Sequence, residues 1–106
     1  MDNFKAVYQI LSSLEKAMDC PEFDLSQIDA KALGISEERW ARYFEMMTDV
    51  DYIKGVKVFR SVTGNTVVQD QGVRITLKGL EYLQENSTMK KIYNMAKGIK
   101  EIVPGI

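Results

Sequence analysis

The hydrophobic positions change period part-way along the chain. Phe4, Val7, Tyr8, Leu11, Leu14 and Met18 recur at helical spacing, with Lys5, Gln9, Ser12, Ser13, Glu15 and Lys16 between them. That pattern predicts an amphipathic helix. Asp2 or Asn3 is placed to cap its start, and Cys20-Pro21 ends it, because proline disfavours helix in the residue before it. Phe23, between Glu22 and Asp24, reads as a short extended segment with one inward side chain. A second helix is expected from Ser26 to Leu33, with Gly34 as its left-handed C-terminal cap. Ser36 then caps a third, and Glu37 and Glu38 suit the positive end of its dipole. Trp40, Tyr43, Phe44 and Met47 share one face of that helix and are expected in the core.

From Tyr52 the period becomes two. Val56 and Val58 alternate with Lys57 in a first strand, Thr63-Gly64-Asn65-Thr66 is a hairpin turn, and Val67-Val68 begins the return. Asp70-Gln71-Gly72 reads as a bulge or bend, with strand resuming at Val73-Arg74-Ile75. Thr76 caps a fourth helix carrying Leu77, Leu80 and Leu83. Ser87 caps a fifth, over about 88–103, with Met89, Ile92, Tyr93, Ala96, Ile99 and Val103 in one stripe. Pro104-Gly105 stops it.

The expected fold class is α+β and mostly helical. The order helix, short strand, helix, helix, β-hairpin is that of a winged helix-turn-helix, here with additional C-terminal helices. One domain is expected over 1–106, its core at about 2–86. Asp51-Tyr52-Ile53-Lys54-Gly55-Val56 resembles the exit from the third helix in small bacterial winged-helix proteins. Ile75-Thr76-Leu77-Lys78-Gly79-Leu80-Glu81-Tyr82-Leu83 resembles the step from the last strand into the next helix. With Glu85-Asn86-Ser87, Met89-Lys90-Lys91 and Tyr93, the chain is similar to the YjcQ-like family of short phage and prophage proteins. The resemblance spans about 24–102 and implies a winged helix in a phage-related setting, with no catalytic residues. Related winged helices commonly place glycine before the Tyr-Ile pair. Asp51 stands there instead, and aspartate tolerates the left-handed backbone less well than glycine.

Composition narrows the function. An apolar fraction of 45% and a charged fraction of 27% over 106 residues are those of a globular chain with one core. No segment has the apolar length to span a bilayer, and no membrane association is expected. The N-terminus lacks a signal peptide's pattern, and the single cysteine, Cys20, excludes an internal disulfide, so the cytoplasm is the expected location. With no histidine, no phosphate loop and no metal-ligand spacing, the chain is read as non-enzymatic, with neither cofactor nor metal.

The net charge of -1 conceals an asymmetry. Through Asp51, five basic residues face eleven acids; from Tyr52 onward, nine face four. On the winged-helix reading, double-stranded DNA is one partner, in a protein that regulates transcription. Phosphate contacts would come from the wing (Lys54, Lys57, Arg60, Arg74) and the last helix (Lys90, Lys91), with Arg39 and Arg42 on the third helix near base edges or phosphates. The third helix opposes this, because Glu37, Glu38, Glu45 and Asp49 outnumber its two arginines, which can simply pair with those acids. The alternative is a protein-protein interaction module or phage-encoded antagonist, binding a host or phage protein through its acidic half, a strand edge, or a groove lined by Met46, Met47, Met89 and Met95. A homodimer through the C-terminal helix stays open beside both.

Overall fold

The structure is a computed structural model that describes residues 2–86. The expected fifth helix lies outside the described residues, as do Lys90, Lys91, Met89 and Met95. Helix α1 runs Asn3–Lys16 and continues into a 3-10 turn at Ala17–Asp19. A second 3-10 turn, Leu25–Ile28, precedes the short helix α2, Ala30–Leu33. Helix α3 is Glu37–Asp49, followed by strands β1, Ile53–Arg60, and β2, Thr66–Ile75, and by helix α4, Leu77–Glu85. The result is α+β, with one two-stranded antiparallel sheet among the described residues.

Helix boundaries follow the side-chain caps. Asp2 accepts from the amides of Phe4 and Lys5, Ser36 from Arg39, and Thr76 from Gly79. Each cap satisfies an amide the helix itself leaves free, worth about 1 kcal/mol. The expected helix over 26–33 is interrupted. Asp29 turns out of helical geometry to accept from the amide of Ala32, so one segment becomes a 3-10 turn plus one α-helical turn. Gly34 closes it in the left-handed region, as expected.

Two other expectations hold only in part. Phe23 packs half-buried against the core but forms no strand. Pro21 has no amide to donate, and two amides of the facing part of β2, Gly72 and Val73, are already held by the Asp70 carboxylate at 3.0 and 2.9 Å. Phe4 in α1 and Met18 in the 3-10 turn after it are exposed, while Ala6 and Ile10 are buried with Tyr8, Leu11 and Leu14, as expected of the last three. The buried face differs from the expected stripe because α1 packs against both β2 and α4. Leu77 at the start of α4 is likewise exposed, and Leu83 is buried.

The buried side chains join into one cluster centred on Phe44, Leu11, Ile10, Leu14, Met47 and Ile53. Burying each such side chain contributes about 1.5–3 kcal/mol. Tyr43 and Phe44 are core residues as expected. Trp40 is half-buried, stacking at a tilt on Phe44 (4.6 Å between centroids) and donating from its indole nitrogen to the Ile28 carbonyl at 2.7 Å.

Candidate nucleic-acid interface

The hairpin is built by two glycine devices. At its tip, Ser61 and Asn65 close the loop through backbone bonds, with Gly64 at φ 87. At its base, β1 pairs Ile53 with Ile75 and Lys54 with Arg74, and the register then shifts so that Val56 faces Asp70. The shift is a bulge, as the Asp70-Gln71-Gly72 segment suggested. It depends on Gly55 and Gly72, at φ 82 and 96, whose backbones approach so closely that a Cβ on Gly55 would lie 2.1 Å from the Gly72 carbonyl oxygen.

The bulge sorts the hairpin's side chains onto two faces. Val56, Val58 and Val68 pack on the core, and Arg60 and Thr66 continue that face beside α3. Lys54, Lys57 and Arg74 are exposed on the outward face, where the Lys57 ammonium lies 5.9 Å from the centre of the Phe59 ring. Directly across the ladder, Lys54 meets Arg74 and Lys57 meets Gln69. Like charges placed opposite each other repel. No carboxylate lies within ion-pair distance of these three cations among the described residues, where Arg42–Glu45 at 3.5 Å is the one ion pair. The hairpin's single acid, Asp70, commits its carboxylate to the bulge.

The cations of α3 are differently placed. Arg39 donates to the Asn3 side chain at 2.7 Å and reaches the Tyr43 hydroxyl at 3.4 Å. Tyr43 also donates to Asn3 at 2.5 Å, so the three residues tie α3 to the start of α1. Arg42 pairs with Glu45 on an exposed surface. Glu38 accepts from both the amide and the hydroxyl of Thr66 at 3.2 Å. Those bonds, the amide's first, with Arg60 and Arg42 nearby, hold its carboxyl below the ordinary glutamate value. Glu38 is therefore a clasp between helix and hairpin, a role the sequence did not signal. Of the nominated residues, the structure brings Lys54, Lys57 and Arg74 together on one face and sets Arg60 apart, toward α3. Lys90 and Lys91 lie outside the described residues.

A second surface was visible only in part from sequence. Phe4, Val7, Met46, Val50, Tyr52 and Tyr82 line a groove of about 750 Å³, with Arg39 and Arg42 at its rim. Met46 was among the methionines expected in a groove, whereas Met47 is core. Phe4 joins the groove because the packing of α1 leaves it uncovered. No helix among the described residues is long and apolar enough to cross a membrane, and none of their carboxylates and cysteine cluster as metal ligands.

Comparison with known families matches residues 8–102 to the family described as YjcQ protein. The chain belongs to the YjcQ family. Comparison with curated proteins and with solved structures finds no match. The helix exit at Asp51 and the strand-to-helix step at Ile75-Thr76 both lie inside the matched span. In this YjcQ protein Asp51 adopts φ 63, and the Tyr52 and Asp51 amides donate back to Met47 and Thr48, a Schellman closure that survives without glycine.

Proposed function

We propose that this YjcQ protein is a non-enzymatic winged-helix protein that binds double-stranded DNA through phosphate contacts of its hairpin. A transcriptional role in a phage or prophage setting is the biological context of that proposal. The order α1, α2, α3, hairpin supports the winged-helix reading, with α3 as second helix of the helix-turn-helix and the hairpin as wing. The observation that carries the DNA reading is the outward face of the hairpin. Lys54 and Arg74 oppose each other across the ladder with Lys57 nearby and no carboxylate to neutralise them. A phosphate backbone would relieve that repulsion while releasing counterions.

The experiment is fluorescence anisotropy of a labelled random-sequence duplex titrated with the full chain at several salt concentrations. Three phosphate contacts give a log–log salt slope of about −2.7, a loss of roughly 40-fold in affinity between 50 and 200 mM. The variant Lys54→Ala, Lys57→Ala, Arg74→Ala loses that binding, and Arg60→Ala, turned toward α3, retains most of it. Absence of binding at about 50 µM protein in low salt overturns the proposal, since non-specific complexes ordinarily form in that range. That result would favour a protein partner for the acidic surface of α3, where Glu37 and Asp49 remain exposed.

A further inference from the structure

The outward face of the hairpin carries an aromatic side chain that phosphate contacts leave unused. Phe59 is 41% exposed there, opposite Val67 and one outward step along β1 from Lys57, about 6.7 Å away. A single exposed aromatic is ordinary on a protein surface. This one completes a cationic row. Lys54 and Arg74 form one rung, Lys57 and Gln69 the next outward rung, and Phe59 and Val67 the third. Lys54 and Lys57 are three residues apart, and they share a face because the bulge between them resets the alternation. Among the described residues the Phe59 ring pairs with no other ring, and the Lys57 ammonium stands 5.9 Å from its centre.

We infer that this face takes a single-stranded stretch of DNA, an unpaired base stacking on Phe59 and the adjoining phosphates meeting Lys57, Lys54 and Arg74. The inference rests on the phosphate-binding reading of the hairpin and adds the group that tells a single strand from a duplex. In a duplex the faces of each base are covered by its neighbours in the stack, so the ring has nothing to lie against. An unpaired base has a free face whichever of the four it is, so the selection is for strandedness and not for sequence. Lys57 serves both groups, because the base replaces its ammonium over the ring and the ammonium turns to the next phosphate. No carboxylate lies within ion-pair distance of the three cations among the described residues, so a strand's phosphates meet no competing anion. A purely apolar partner would cover the ring but leave those cations desolvated and unpaired.

Fluorescence anisotropy of three labelled probes, titrated with the full chain at about 50 mM salt, tests it. They are an oligo(dT) of about 12 nucleotides, an abasic strand of the same length, and a duplex of that length. The abasic strand keeps every phosphate and loses every base. Oligo(dT) is expected to bind about tenfold or more tighter than the abasic strand, the size of effect that one base stacked on an aromatic ring gives. Phe59→Leu, apolar and of similar size but without a π-face, brings oligo(dT) to the abasic level and leaves duplex affinity unchanged. Phe59→Trp keeps the difference. Equal affinity of the unmodified chain for oligo(dT) and the abasic strand, or no binding of either at about 50 µM, overturns the stacking. A loss in Phe59→Leu that is as large on duplex as on oligo(dT) overturns it too, and tighter binding of a matched oligo(U) overturns the assignment to DNA. Absence of duplex binding while oligo(dT) binds counts against the duplex reading and not against this one, so the two failures are separable.

Discussion

Replacing Gly55 by alanine should be among the most damaging single-methyl changes available in the hairpin. Gly55 sits at φ 82, a left-handed conformation that costs an L-residue about 1–2 kcal/mol. The added Cβ would also lie 2.1 Å from the Gly72 carbonyl oxygen and 2.5 Å from its carbonyl carbon. Those are backbone atoms, unable to swing aside as a flexible side chain would, and overpacking of this kind costs about 1–3 kcal/mol. The sum, weighted to the upper part of the range because the bulge must open, is a destabilisation of about 3–5 kcal/mol. Gly64 supplies an internal control. Its φ is 87, almost the same, but a Cβ there meets nothing within 4 Å. Gly64→Ala should therefore carry the strain alone, about 1–2 kcal/mol. Urea denaturation followed by far-UV circular dichroism measures both, and an unchanged m-value licenses the comparison. In thermal melts the gap between the two variants corresponds to roughly 8–16 °C. If the two substitutions cost the same within about 0.5 kcal/mol, the close approach of Gly55 to Gly72 is not what sets the register shift.

Two further outcomes follow from the same kind of geometry. Asp51→Gly should stabilise the fold by up to about 1 kcal/mol, because the left-handed strain relieved at φ 63 outweighs the extra freedom glycine has when unfolded; a lower urea midpoint would refute this. Glu38, held below its ordinary value of 4.5 by the Thr66 amide, contributes stability above that value that disappears as pH falls through the lowered one. Glu38→Gln should therefore flatten the pH dependence of the melting temperature below about pH 4.5, and an unaltered acid limb would count against the clasp.

Much of the element order was legible because each element carries its own punctuation. Ser36, Thr76 and Gly34 mark boundaries with local chemistry that needs no tertiary information. The period-two run and the Thr63-Gly64 turn similarly mark the hairpin. What the sequence hid depends on neighbours distant in the chain. The buried face of α1 is decided by β2 and α4 together, so a single helical stripe misplaced Phe4 and missed Ile10. The break at Asp29 is a competition between two uses of one side chain, and propensity favoured continuation. Phe23 turns inward as expected, but pairing as a strand needed a free edge on β2, where Asp70 holds the amides of Gly72 and Val73.

The candidate site was legible as a list and not as a surface. Adding charges by segment makes α3 acidic and the hairpin basic, which sets the two against each other as DNA-binding elements. Adding them by face gives a different balance. Glu38 is engaged by Thr66, Glu45 by Arg42, and Asp70 by the bulge, so three of the acids that opposed an anion are already committed. The arginines of α3 are committed as well, Arg39 to Asn3 and Tyr43, Arg42 to Glu45. Reading bases through Arg39 would require breaking bonds that hold α3 to α1, whereas contacting phosphates through Lys54, Lys57 and Arg74 disturbs at most the exposed bond from Arg74 to the Gly72 carbonyl at 3.2 Å. On the proposed reading, binding should therefore depend strongly on salt and little on sequence, because phosphate contacts carry charge but no base information.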